Sequence, residues 1–306
     1  MTASSLQHAK LELPLSHLLL AVGIAGVWGT NFVVIKAGLD GFPPFLFAFL
    51  RFVLVFFPAA LVLPRPKVPW SKLAAYGMLT GGGQFGLLYL AMRGHITPGL
   101  ASLILMSQVF FTIGLSVWLA GERLSVLRWF AVGLAAVGLL TIAICGGGDA
   151  TPIGLCLVLL AGLSWACSNM IVKGAPPSYM LNYIVWASIF ALPPLLFLSF
   201  VFEGPGTAIH ALGSATPTAW AAVLWQSFGN TLFGFAAWGW LLSRYPAATV
   251  TPTALLVPIF GMSASSLLLG ESLPPWKAAG AALIIAALCL NVIAARFRGF
   301  RFGLIK

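Results

Sequence analysis

Asn31, Gln84, Gln108, Ser168, Asn169, Gln226 and Asn230 fall inside long runs of apolar sequence, where lipid offers them no hydrogen-bond partner. Gln226 and Asn230 stand one helical turn apart on one face, and Trp28 with Asn31, or Trp165 with Ser168 and Asn169, repeat that arrangement. Any one of these groups is accounted for by a hydrogen bond to a neighbouring helix. Together, beside Trp28, Tyr89, Trp165, Trp186 and Trp238, they describe neutral hydrogen-bonders among aromatic faces. Such a lining suits a modest-sized, partly apolar solute. The residues expected to touch it are Asn31, Gln84, Tyr89, Ser107, Gln108, Trp165, Asn169, Trp186, Asn230, Trp238 and Thr253.

Arg51 is the one cation within an apolar run. Placing an Arg at the centre of a membrane helix costs about 2.5–3.5 kcal/mol on insertion scales, so it must face protein or water and be paired. It is suited either to a substrate carboxylate or to helix-end carbonyls and a loop, and the second reading is preferred. The acids Glu12, Asp40, Glu122, Asp149, Glu203 and Glu271 all fall in loops or at helix ends, and so do His8, His17, His95 and His210. Proton-driven pumps carry an embedded carboxylate or His relay. Its absence here points to gradient-driven export or exchange without tight proton coupling.

Enzymatic chemistry has no foothold. There is no HExxH, no G-x-S-x-G and no intramembrane carboxylate pair, so neither a nucleophile with its base nor a metal site is expected. Residues 81–86 spell G-x-G-x-x-G, but a dinucleotide site needs a strand before it. Here Gly77, Gly81, Gly82 and Gly86 read as small residues for close helix packing. Cys145, Cys156, Cys167 and Cys289 lie within apolar runs and imply no disulfide framework. No cofactor, metal or nucleic acid is expected; the partners are a small-molecule substrate and the lipid bilayer.

The elements that hold these residues follow from composition. Hydrophobic residues make up 60% of the 306, charged residues 7%, and the mean hydropathy is +1.02, against roughly 25% charge in soluble domains. Ten apolar runs are read as membrane helices, at 17–38, 43–63, 73–93, 97–119, 127–145, 153–174, 179–202, 219–242, 247–269 and 277–296. The longest connection, 203–218, is read as a loop rich in Gly, Ser, Thr and Pro. Trp70, Trp129, Trp220 and Trp276 sit at helix ends, as an interfacial belt does. Pro252, Pro258 and the Pro193-Pro194 pair are kinks or hinges.

The net charge of +10 is a topology signal. On the N-terminal side lie Lys10, Arg65, Lys67, Lys72, Arg123, Arg128, Lys173, Arg244, Arg296, Arg298, Arg301 and Lys306, against Lys36, Arg93 and Lys277 on the other. The positive-inside rule then places both termini in the cytoplasm. An even number of spans agrees with that.

The chain also repeats itself. Trp28 and Lys36, eight positions apart and followed by Pro43-Pro44, have counterparts in Trp165, Lys173 and Pro176-Pro177. Gly121-Glu-Arg-Leu124 is matched by Gly270-Glu-Ser-Leu273, and Trp129 with Gly133 by Trp276 with Gly280. Two five-helix units, 17–145 and 153–296, result. Five is odd, so the second unit enters the membrane inverted, with a central cavity between the two. The expected fold is therefore an all-α membrane protein of ten helices in two inverted five-helix repeats.

This pattern resembles the EamA-type exporters of the drug/metabolite transporter superfamily. The resemblance rests on Trp28-x-x-Asn31-x(4)-Lys36, Arg51 in the second helix, Tyr89-Leu-Ala-Met92 before a short loop, the twice-used Gly-Glu-x-Leu, and Pro258. Val109 departs from it, since a proline matching Pro258 would stand near there. The resemblance spans residues 17–296 and implies a bacterial inner-membrane exporter of amino acids, apolar or aromatic ones favoured, and related metabolites. It implies alternating access, with a monomer expected and a dimer as the alternative. Glu122 and Glu271 are expected to fix loops rather than touch substrate. A multidrug or sugar-conjugate exporter is the runner-up reading, with a channel behind it.

Overall fold

The computed structural model describes residues 13–120, 125–145, 148–172, 180–245 and 250–302. The motif at 121–124, the stretch 173–179 with Lys173 and Pro176-Pro177, and residues 246–249 lie outside the described residues. Among those described, all regular structure is helical; one isolated bridge joins Ile96 to Ala150.

We label the helices in order: α1 (Leu15–Leu39), α2 (Pro44–Ala60), α3 (70–92), α4 (98–120), α5 (Val126–Cys145), α6 (Pro152–Val172), α7 (180–203), α8 (Pro205–Ser214), α9 (217–244), α10 (251–269) and α11 (Pro275–Phe302). Proline opens many of them: Pro44, Pro98, Pro152, Pro205, Pro217 and Pro275 each stand first. At that position the missing N–H is no loss and the fixed φ favours the helix.

Seven helices are long and apolar enough to cross a membrane. Three of the expected spans depart from that simple form. Helix α2 is a shorter apolar helix of 17 residues. Helix α3 is interrupted by a π-helical stretch at Leu79–Gly86, and α9 by another at Trp225–Phe233. Both stretches are rich in Gly and polar residues. The expected loop at 203–218 holds the short helix α8 instead. Gly204, at φ 81°, makes the reversal that a side chain would oppose, and Pro205 starts the new helix.

Irregularities and packing recur in matching places. Two of the π stretches fall in α3 and α9, and 3-10 turns fall in α4 (Leu105–Ser107) and α10 (Thr251–Leu255); a third π stretch, Ser199–Glu203 at the end of α7, has no match in α2. Helix α1 packs on α10 as α6 packs on α4, α3 packs on α6 as α9 packs on α1, and α2–α7 and α5–α11 pair directly. Exchanging each helix for its counterpart leaves this set of pairings unchanged.

Glycines permit the closest of these contacts. Gly77 and Gly81 lie against Ala187 and Ala191 of α7, so the G-x-G-x-x-G segment is a packing surface inside a helix. In the α5–α11 pair, a Cβ on Gly138 would stand 3.0 Å from the Gly280 carbonyl oxygen, and one on Gly280 would stand 3.4 Å from the Gly138 carbonyl oxygen. Gly133, matched to Gly280 in sequence, faces open space. The packing partner is one and a half turns further along α5.

Candidate functional site

The centre of the bundle is organised by Arg51, whose side chain is wholly buried. Side chains from three other helices gather around it. From α3, Tyr89 Oη accepts from Arg51 Nη1 at 2.9 Å. From α9, Gln226 Oε1 accepts from the same nitrogen at 3.0 Å, and Thr231 Oγ1 accepts from Nη2 at 2.8 Å and from Nε at 3.2 Å. From α1, Asn31 exchanges hydrogen bonds with Gln226, Gln226 Nε2 to Asn31 Oδ1 at 2.8 Å and Asn31 Nδ2 to Gln226 Oε1 at 3.4 Å. The guanidinium carbon also lies 3.7 Å from the centre of the Phe85 ring, a cation–π contact in a desolvated setting. The preferred sequence reading, helix-end carbonyls or a loop, is corrected here: the partners are neutral side chains on neighbouring helices.

Helix geometry sets this arrangement. Gln226 and Thr231 are five residues apart, which in an α-helix separates them by about 140° around the axis. The π stretch of α9 returns both to one face, and Thr231 Oγ1 donates to the Gln226 carbonyl at 2.7 Å. Ser227 Oγ donates to the Arg51 backbone carbonyl at 3.1 Å, fixing α2 against α9.

The remaining candidates fall into distinct places. Trp28 Nε1 donates to the Asn230 carbonyl at 3.2 Å, and its ring lies 5.2 Å from that of Trp238. Across the bundle, Asn169 of α6 donates to Gln108 Oε1 of α4 at 3.1 Å. Trp165 is half-buried against the core, and Gln84 is buried in the π stretch of α3. Ser107 Oγ is buried without a partner beside a void of about 10 Å³. Thr253 Oγ1 turns back to the Val250 carbonyl at 2.8 Å. Trp186 sits elsewhere: its Nε1 donates to the Leu63 carbonyl at 3.0 Å and its ring edges meet Trp70 and Phe56. The structure thus links Asn31 and Tyr89 through Gln226, gathers Trp28, Asn230 and Trp238, and joins Gln108 and Asn169.

Sequence reasoning missed Thr231, noted Gln226 without placing it in the site, and counted Lys277 only as a charge on the side opposite the N-terminus. Lys277 is wholly buried. It donates to Asp149 Oδ2 at 3.0 Å, to the Ser272 carbonyl at 3.2 Å and to Glu271. Glu271 also accepts from Thr97 Oγ1 and from the Gly99 N–H at 3.0 Å, so it anchors its loop to the first turn of α4 as expected. Glu203 likewise accepts the N–H groups at the start of α2. Beside this cluster an open cleft of about 370 Å³ is lined by Lys36, Asp40, Arg93, His95, Thr97 and Asp149 among others. None of the expected substrate contacts borders it. Burial along α4 has a direction: residues 98–107 are all buried, whereas none of 108–119 whose burial is described is. Among the described residues no group of three or more His, Cys, Asp or Glu side chains is placed to hold a metal.

Known proteins agree with this architecture. The EamA-like transporter family matches residues 15–144 and again 152–293. A protein of Salmonella typhimurium named probable amino-acid metabolite efflux pump is 39% identical over 285 residues, covering 91% of this chain and 95% of its own. An Escherichia coli protein of the same name is 37% identical over the same shares. A probable terminal-alkyne amino-acid exporter of Streptantibioticus cattleyicolor is 25% identical, covering 86% of this chain and 89% of its own. A solved crystal structure shares the fold with a TM-score of 0.60 at 17% identity, covering 90% of this chain and 97% of that one. With both halves matched and near relatives aligned along nine-tenths of its length, this chain belongs to the EamA-like transporter family and is a multi-pass membrane transporter.

Proposed function

We propose that this protein exports amino acids, with apolar and aromatic ones favoured, and related metabolites across the bacterial inner membrane. It does so by alternating access: two inverted five-helix halves, 17–145 and 153–296, rock about a central path, with ten crossings and both termini in the cytoplasm. The recurrence of π and 3-10 segments in counterpart helices, and the symmetric helix pairings, support the two halves. Inverted repeats of this kind hold substrate near the midplane, between the halves. The two relatives named as amino-acid metabolite efflux pumps support the substrate class.

One observation carries the reading: the interior holds a fixed cation, Arg51, among neutral hydrogen-bonders and aromatic rings. The four acids among the described residues, Asp40, Asp149, Glu203 and Glu271, are in loops or at helix ends. Such an interior repels a cationic drug and tolerates a zwitterion whose side chain meets aromatic faces.

The test is transport by the purified protein in lipid vesicles, offered labelled amino acids, lipophilic drugs and nucleotide-sugars, with and without an imposed pH gradient. Saturable movement of phenylalanine, tyrosine or tryptophan, proceeding without the pH gradient, is the expected result. Movement of drugs or nucleotide-sugars alone would overturn the substrate class, and strict dependence on the pH gradient would overturn the coupling.

A further inference from the structure

Three donors converge on one oxygen at the centre of the bundle. Gln226 Oε1 receives Arg51 Nη1 at 3.0 Å, Tyr89 Oη at 3.1 Å and Asn31 Nδ2 at 3.4 Å. A guanidinium only donates, so the atom it faces must be the amide oxygen and the orientation of this amide is fixed. An amide oxygen has two lone pairs and no charge, yet here it serves a cation, a phenol and a second amide. That donor set is the one a carboxylate oxygen takes best, because charge-assisted bonds to guanidinium are the stronger kind.

The charge of Arg51 is also left over. Among the described residues no carboxylate lies within ion-pair distance of it. Asp40 is held by Lys36, Asp149 and Glu271 by Lys277, and Glu203 by the N–H groups of Phe45 and Leu46. Neutral partners satisfy the N–H groups of a buried guanidinium but do not cancel its charge, and a desolvated, uncancelled charge is costly. A purely structural tie between four helices needs no charge. A docking point for an anion does.

We propose that Gln226 Oε1 occupies, in this state, the position taken during transport by the carboxylate of the exported solute, so that Arg51, Tyr89 and Asn31 form its carboxylate site. The proposal rests on the amino-acid export reading and names the group that the protein recognises. Gln226 is the plug, and its helix supplies the means of removal. It stands at the second position of the nine-residue π stretch, and π segments in α-helices are frequent at functional sites. Rewinding to α-helix turns Gln226 and Thr231 apart by about 140°, so Thr231 keeps the guanidinium while Gln226 leaves it. The rings of Phe85 and Phe47, 6.0 and 4.9 Å from that of Tyr89, give the vacated site an aromatic wall.

The experiment compares phenylalanine, 3-phenylpropionate and phenylalaninamide as inhibitors of phenylalanine transport and as thermal stabilisers of the purified protein. The first two keep the carboxylate and the third lacks it. The parent protein is expected to respond to the first two and, on the scale of a lost charge-assisted bond, roughly tenfold or more weakly to the amide. Arg51→Gln removes the preference. Because that variant also empties a four-helix junction, Gln226→Glu provides the independent arm. It places a tethered carboxylate on the three donors, so the protein stays folded with a raised melting temperature, and binding of both carboxylates is lost. Equal response to phenylalaninamide, or Gln226→Glu transporting at the parental rate, would overturn the carboxylate site while leaving amino-acid export standing. Should the parent move no amino acid, the export reading fails on its own. Stabilisation by 3-phenylpropionate, abolished in Gln226→Glu, would still uphold the site, and its absence would overturn it.

Discussion

The carboxylate of Glu203 accepts the backbone N–H of Phe45 at 2.6 Å, and that of Leu46 at 3.1 Å, across 158 residues of chain. Helix α2 begins with Pro43-Pro44 and has no capping side chain of its own. The acid at the end of α7 therefore does what an N-cap residue does, and it meets the positive end of the α2 dipole. Removing an N-cap costs about 0.5–2 kcal/mol. Glu203→Ala is expected to lose stability in that range, and Glu203→Gln, which keeps one acceptor, to lose less. Thermal unfolding in detergent measures both; a neutral Glu203→Ala would show that α2 needs no partner there.

Lys277 neutralises two acids from inside a wholly buried position. Breaking a buried pair by removing one partner costs about 3–5 kcal/mol, because the other charge is left uncompensated. Lys277→Met is expected to lower the yield of monodisperse protein sharply, and Lys277→Met with Glu271→Gln to recover part of it. Size-exclusion profiles give the answer. An unaffected single variant would mean that water reaches Asp149 and Glu271.

The α5–α11 contact makes a paired prediction. Gly138 and Gly280 each face the other's backbone, while Gly133 faces open space. Gly138→Leu and Gly280→Leu are expected to separate the two helices and destabilise the protein, whereas Gly133→Leu leaves it unchanged. Melting temperatures of the three variants, compared side by side, test the register. Equal effects at 133 and 138 would place the contact elsewhere.

Most of the helical frame was legible because a membrane span is a composition before it is a contact. Helices α1, α5 and α6 lie within a few residues of where hydropathy places them. Helix α8 was not legible: its Gly, Ser and Thr content reads as loop, and Pro205 after Gly204 was the one signal for it. The π stretches leave no periodicity to read, and that is why Thr231 was missed. A threonine in a membrane helix ordinarily bonds the carbonyl one α-turn back, as Thr30 does to Gly26, so nothing in sequence marks one that holds an arginine. Lys277 was missed for a different reason. Its burial depends on Asp149 arriving from a distant loop to join Glu271 of the preceding one, and charge counting treats every cation at a helix end alike. The intramembrane amides were legible as a class, but the choice of partner, Asn31 with Gln226 and Gln108 with Asn169, is tertiary information.

The central claim is that substrate crosses on a carrier with one site exposed alternately to the two sides. Counterflow measures this directly: vesicles loaded with unlabelled phenylalanine are diluted into a trace of labelled phenylalanine. A carrier accumulates label transiently above its equilibrium level, and the overshoot saturates with internal phenylalanine. That is the result predicted for this protein. Label that only equilibrates, at a rate linear in concentration, would identify an open pore and contradict the account.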